Sequence, residues 1–492
     1  MDRQTSPSSD FPIAIIGAGF AGIGTAIQLL KAGIRSFTIF ERAGEIGGTW
    51  RDNTYPGAAC DVPSHVYSFS FEPNPSWSRA FAESWEIQDY LLGVVEKWKL
   101  RSHLRLNTEI VDARFDEATG SWTLTTSDGE TVRARVVVSG VGGLVDPAPP
   151  DLKGMESFRG EVFHTARWNH DFDLAGRKVA VIGTGASAVQ VVPSIASQVE
   201  KLSVFQRTPA WVMPKPDRKY SERAKRFYAR FPLALRLSRF FKYAMSELFG
   251  PMVFLDAPRL SAIGEKGSML HLRAQVSNRA VREKLVPSFQ FGCKRILISD
   301  DFWACFDREN VELVTEPIEE VKSGGIQTSD GRLHSVDAIV LATGFSVGLA
   351  KAPFPVRGRG GRILDEAWSE GAVAYKGMAV SGFPNWYILM GPNTGPGHTS
   401  VLVYTEAQIA YALQAIRKLL RENLRYVDVR QDVQDRYNDG LQRRMKRMVW
   451  GSGCNSWYLS ADGANHALYP GFAWEYALRT RKFKSSEYEI AR

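Results

Sequence analysis

A chain of 492 residues, 44% hydrophobic and 23% charged, has room for about three domains and the balance of a folded globular protein, which excludes collagen-like, disordered and disulfide-scaffold classes. The net charge of +8 is small for this length and no basic, aromatic-bearing module is readable, so no nucleic-acid partner is expected. Cys60, Cys293, Cys305 and Cys454 include no C-x-x-C pair, which excludes a redox-active dithiol or zinc knuckle and suits a reducing, cytoplasmic setting.

Met1–Asp10 is polar and lacks a basic run, and the apolar Phe11–Ile16 runs into spaced glycines. This start reads as a strand and turn, not a secretion signal. Nothing later approaches about 18 uncharged apolar residues, so no transmembrane segment is expected. The turn Gly17-Ala18-Gly19-Phe20-Ala21-Gly22 leads into a helical run to Ala32, then a strand Ser36–Phe40 that ends at Glu41. This is a βαβ unit opened by a dinucleotide fingerprint. Gly17 permits the tight turn, Gly19 lets backbone approach a pyrophosphate, and Gly22 lets helix and strand pack closely. Gly47-Gly48-Thr49-Trp50, Tyr55-Pro56-Gly57 and Asp61 follow. The glycine backbone there can lie against a flat ring system that Trp50 and Tyr55 wall. Val136–Gly140 is a strand running into a glycine turn.

The pattern returns at Lys178–Ile182, Gly183-Thr184-Gly185-Ala186-Ser187-Ala188, a helical run to Ser197, and a strand Lys201–Phe205 with Arg207 just beyond it. One such fingerprint is weak evidence; two, each after an apolar strand, make coincidence a poor explanation. The units differ in charge at equivalent positions. Glu41 can accept hydrogen bonds from a ribose hydroxyl pair, whereas Arg207 suits a 2′-phosphate. The first site is therefore expected to hold FAD and the second NADPH. Tyr220–Leu285 reads as a helical subdomain, with Pro232 as a breaker in its basic, aromatic stretch Ala224–Phe249. A surface helical subdomain is the plain reading, and a weak membrane-surface contact is the sharper alternative. Gly292-Cys293-Lys294-Arg295 precedes Phe302-Trp303. Val336–Leu341 is a buried strand that ends in Ala342-Thr343-Gly344, and Thr405–Arg421 has the spacing of a helix. The expected fold is α/β, with two Rossmann-like dinucleotide-binding domains and a helical insertion. The divisions are 1–145 and 347–492 for the FAD part, 146–215 and 291–346 for the NADP part, and 216–290 for the helices. Aromatics near Phe302, Trp303, Trp386 and Tyr387 are expected to wall an apolar pocket.

Between the two units lies Phe158-Arg-Gly160-Glu-Val-Phe-His164-Thr-Ala-Arg-Trp168-Asn169. It resembles the fingerprint of the type I Baeyer–Villiger monooxygenases, which has F-x-G-x-x-x-H-x-x-x-W followed by Pro or Asp; Asn169 departs from that last position. The resemblance runs over nearly the whole chain. It implies insertion of one oxygen atom from O2 beside a ketone carbonyl, giving an ester or lactone through a C4a-peroxyflavin. It also implies that Arg295 is the active-site arginine and that Asp61 holds it. Lys294 would help bind the 2′-phosphate, with Gln190, Arg207, Thr208 and Trp457 on the nicotinamide-nucleotide side. His164 would be a structural linker residue. A fixed cation suits this chemistry because it stabilises both a deprotonated peroxide and the oxyanion of the adduct. The remaining cofactor-binding candidates are Gly17, Gly19, Gly22, Gly48, Thr49, Trp50, Tyr55, Gly183, Gly185, Ser187, Thr343 and Gly344. The alternatives are an N- or S-oxidising flavin monooxygenase and an NADPH-flavin reductase without oxygenation. No metal site is expected.

Overall fold

One nucleotide-type sheet is interrupted by a second, and the chain returns to finish the first. The computed structural model describes residues 11–346, 352–451, 459 and 463–492. The first pass supplies β1 (Phe11–Ile16), α1 (Phe20–Lys31), β2 (Phe37–Phe40), α2 (Thr49–Asp52), α3 (Ser84–Lys97), β3 (Leu104–Arg105), β4 (Ile110–Asp116), β5 (Ser121–Thr126) and β6 (Thr131–Ser139). The inserted part begins with β7 (Glu161–His164), β8 (Lys178–Ile182), α4 (Ala188–Ile195), β9 (Lys201–Phe205) and β10 (Val212–Met213). Four helices follow: α5 (Glu222–Arg230), α6 (Pro232–Phe254), α7 (Pro258–Gln275) and α8 (Arg279–Lys284). Then come β11 (Leu297–Ile298), β12 (Val311–Val314), the antiparallel trio β13 (Ile318–Lys322), β14 (Gly325–Thr328) and β15 (Leu333–Ser335), and β16 (Ala338–Leu341). The return supplies β17 (Val356–Arg357), α9 (Leu364–Ala367), β18 (Trp386–Ile388), α10 (Val401–Arg421), β19 (Tyr426–Val429), α11 (Gln431–Met445), α12 (Ala473–Thr480) and β20 (Tyr488–Ala491).

The first sheet has the order β17-β4-β5-β6-β1-β2-β3, with β18 also on β6. The second has the order β12-β9-β8-β16-β7 and is parallel throughout. Strands covered by helices on both faces carry unbroken apolar runs, which is why β1, β8 and β16 lack polar alternation. Among the described residues no helix is long and apolar enough to cross a membrane.

The two βαβ units repeat in detail. Gly17 N–H donates to the carbonyl of Phe40 (2.8 Å) and Gly183 N–H to that of Phe205 (3.0 Å). A Cβ on Gly17 would stand 2.7 Å from the carbonyl oxygen of Gly140, and one on Gly183 would stand 2.5 Å from that of Ala342. Both glycines have positive φ, +96° and +115°. Each first glycine is therefore required twice, by its backbone angle and by the neighbouring strand end. The two crossings between the sheets run side by side. Ala148 N–H donates to the carbonyl of Gly344 (2.9 Å), Thr343 Oγ1 to that of Ala148 (2.7 Å), and Ser346 N–H to that of Asp146 (2.8 Å).

Several boundaries differ from the sequence reading. α10 begins at Val401 rather than Thr405, because the hydroxyl of Ser400 caps it by accepting from Leu402 N–H (3.2 Å). α4 ends at Ile195, two residues short of the expected run. β6 begins at Thr131, where an alternating stretch pairs antiparallel with β5 before the buried run starts. Pro232 stands at the start of α6, where its missing N–H costs nothing.

Gly183→Ala should destabilise the protein by about 2 kcal/mol or more and lower its Tm. Gly185→Ala, whose Cβ meets nothing within 4 Å, should leave Tm near wild type. Thermal unfolding of the pair checks this; equal Tm values would contradict the packing described.

Candidate active site

At the first turn, α1 begins with no side-chain cap and no acidic residue in its first turn. Across from it, a Cβ on Gly48 would lie 3.5 Å from the Cα of Gly19, so two bare backbones face one another. Thr49 and Trp50 open α2 behind Gly48. Trp50 Nε1 donates to the Tyr67 hydroxyl (3.0 Å), and the two rings meet edge to face. Glu41 is buried at the end of β2. It accepts from the N–H groups of Ala18 (2.8 Å) and Ala43 (3.0 Å) and from Arg51 Nη1 (3.0 Å). A carboxylate offers roughly four acceptor positions, so about one remains beyond these three. Arg51 and Tyr67 were not anticipated. Their partners are 10 and 17 residues away, and no spacing rule reaches across that irregular loop.

The loop after α2 docks on the second domain. The Tyr55 hydroxyl donates to Gln190 Oε1 (2.8 Å) and also interacts with Ser187, and burial pushes its pKa up to about 12. Gln190 Nε2 donates to the carbonyl of Ala59 (2.9 Å). Gly57 is pressed against α4, where a Cβ would stand 2.6 Å from the carbonyl oxygen of Gln190. Gln190, expected on the nicotinamide-nucleotide side, thus joins the two domains. This docking delivers Asp61 to Arg295, whose Nε and Nη2 both donate to Asp61 Oδ2, at 3.0 and 2.5 Å.

At the second turn, α4 also starts at Ser187 without a side-chain cap or an acid in its first turn, and Gly185 faces open space. Thr184 Oγ1 donates to the carbonyl of Thr208 (3.0 Å), tying the turn to the segment that carries Arg207. β10 and β11 pair in parallel and bring that segment beside Lys294 and Arg295. Lys294 Nζ lies 5.0 Å from the centroid of the Phe289 ring. Burial first, and then the charge of Arg207, hold its ammonium below the usual lysine value. Among the described residues no carboxylate pairs with either cation. Two like charges near one another without an acid partner leave positive charge that an anion could neutralise.

His164 ends β7 in register with Leu341, near Gly344; its Nδ1 accepts from Ala166 N–H (3.0 Å), and burial lowers its pKa. Trp168 packs edge to face on Phe163. Asn169 Oδ1 accepts from Asp171 N–H (3.0 Å), a turn that an aspartate would make equally well, so the departure from the fingerprint preserves the local geometry. Thr343 and Gly344 serve the crossing described above. The aromatic-pocket expectation fails. Phe302 and Trp303 belong to the core beneath the second sheet, while Trp386 and Tyr387 pack on opposite faces of the first. Trp457 lies outside the described residues.

Two uncapped helix starts, two glycine turns and an acid–base difference between them define a two-dinucleotide oxidoreductase. Residues 14–226 match the family described as pyridine nucleotide-disulphide oxidoreductase. A Baeyer–Villiger monooxygenase of Pseudomonas aeruginosa is 46% identical, covering 100% of this chain and 94% of its own length. One of Streptomyces coelicolor is 42% identical, covering 98% and 92%. Among solved structures, an oxidised steroid monooxygenase bound to NADP has a TM-score of 0.88 at 30% identity, covering 99% of this chain and 100% of its own. Cyclohexanone monooxygenase from Rhodococcus sp. Phi1 bound to NADP+ has the same TM-score and coverage at 26% identity. The chain belongs to the Baeyer–Villiger monooxygenase family.

Titration of adenosine 2′-phosphate should show affinity falling as pH rises through the lowered Lys294 value, starting below the range of an exposed lysine. Lys294→Arg should flatten that dependence, because a guanidinium keeps its charge. An unchanged pH profile in the variant would count against an anion-binding role for Lys294.

Proposed function

We propose that this chain binds FAD at the first turn and NADPH at the second and uses O2 to oxygenate a ketone to an ester or lactone. The observation that supports the reading is the Arg295 guanidinium held by Asp61, a pair that joins the flavin-side loop to the segment beside Lys294. On this reading 1–145 and 347–492 form the flavin part, 146–215 and 291–346 the NADP part, and 216–290 the helical subdomain.

The residues present fit both cofactors. The uncapped start of α1 and the facing glycines Gly19 and Gly48 leave a backbone cradle for a pyrophosphate and a flat ring. The remaining acceptor capacity of Glu41 suits a ribose hydroxyl. The start of α4, with Gly185 open above it, suits the second pyrophosphate, and Arg207 with Lys294 suits a 2′-phosphate. The flavin, when bound and reduced, supplies the oxygen-activating chemistry. The protein supplies position and field. Arg295 presents a cation that does not lose its proton, and Asp61 fixes its plane by taking the Nε–Nη2 edge. A cation so placed stabilises negative charge as it develops on the substrate oxygen. Such a preorganised donor is commonly worth about 3–4 kcal/mol. Tyr55, Gln190 and Gly57 keep the flavin-side loop on α4, so this geometry holds only when the domains are docked.

Arg295→Ala should lower kcat/KM for ketone oxidation by about 10²–10³ while the FAD content of the purified protein stays at wild type. Steady-state turnover with product mass analysis measures it. Ketone oxidation at the wild-type rate would overturn the role given to Arg295.

A further inference from the structure

Helix α6 turns much of its apolar surface to solvent. Its stripe of exposed positions carries Leu233, Leu237, Phe240, Phe241, Leu248 and Phe249, with Leu233, Phe241 and Leu248 at 67, 63 and 69% exposure. The positions repeat every three or four residues, so they lie along one face. The inward side turns several polar groups into the protein, beside the buried Leu235 and Phe254. Arg239 Nη1 donates to the carbonyls of His65 (2.9 Å), Val66 (3.0 Å) and Ser68 (2.8 Å). Glu247 accepts from the N–H of Ala473 (3.2 Å), and Ser246 Oγ donates to Thr399 Oγ1 (2.9 Å). A helix anchored inward by hydrogen-bonded polar groups, with an apolar face outward, leaves large apolar area in water, which marks an interaction surface.

The charge around it selects the occupant. Residues 221–275 carry ten Lys or Arg against four Asp or Glu, so most of the chain's net +8 sits on these helices. Arg226, Arg230 and Arg236 are exposed on α5 and α6, and Lys266 on α7. Phe227 and Phe231, both exposed, extend the apolar surface from α5 into α6. An isologous contact with a second copy would set these cations against themselves, and a bare polyanion would leave the apolar stripe wet. An anionic lipid surface satisfies both parts, with phenylalanine and leucine entering the acyl boundary and arginine and lysine meeting the headgroups. We propose that the outer face of α6, with the cations of α5 and α7, is a peripheral membrane-docking surface for anionic lipid.

The test is flotation of the full-length protein with phosphatidylcholine vesicles, with and without phosphatidylglycerol. The protein should float with the anionic vesicles and much less with phosphatidylcholine alone. The triple variant Leu237→Ser, Phe241→Ser, Leu248→Ser should bind at least about tenfold less while keeping its turnover of a water-soluble ketone and its Tm. Arg226→Glu with Arg236→Glu should remove the preference for phosphatidylglycerol. No flotation, or flotation that the triple variant leaves unchanged, would overturn the proposal. So would a wild-type dimer by sedimentation equilibrium that the triple variant turns to monomer, since a second copy would then be the cover.

Discussion

Arg295 and Asp61 are 234 residues apart in sequence and meet through a single carboxylate oxygen. The side chains keep 37 and 29% of their exposure, so as an ion pair the contact adds on the order of 0–1 kcal/mol to stability. A cation correctly placed against developing charge is worth about 3–4 kcal/mol to a reaction. The pair therefore matters for orientation, not for holding the fold together. Its geometry is fixed by others: the loop of Tyr55 and Gly57 pressed on α4, Gln190 reaching back to Ala59, and β10 against β11 on the far side.

The same logic explains the doubled fold. Each βαβ unit needs its first glycine where a strand end crowds the turn, so Gly17 answers Gly140 and Gly183 answers Ala342. The crossings between the sheets are tied to one another at Ala148, Thr343 and Gly344 instead of to either core. That arrangement lets each domain complete its own hydrophobic core while the junction between them carries the polar work.

Much of this was legible in the chain. The strands Phe11–Ile16, Lys178–Ile182 and Lys201–Phe205 were read with their observed limits, because buried parallel strands are apolar runs bounded by glycine. The opposite charges of Glu41 and Arg207 were readable because fingerprint spacing fixes where the second strand ends. What escaped depends on contacts between distant segments. Gln190, expected beside the nicotinamide nucleotide, also bonds Tyr55 and Ala59 across more than 130 residues. The aromatics at 302, 303, 386 and 387 looked like a pocket because aromatic content does not tell a cleft from a core. The polarity of α6 was hidden for a related reason: alternating basic and aromatic residues define two faces, and only the docked fold decides which turns inward.

A double-mutant cycle tests the central claim directly. If Asp61 acts through Arg295, the variant carrying both Asp61→Ala and Arg295→Ala should oxidise a ketone no more slowly than Arg295→Ala alone, giving a large coupling energy between the two positions. Losses that simply multiply, with no coupling, would show that the two side chains act independently and that the account of a held arginine is wrong.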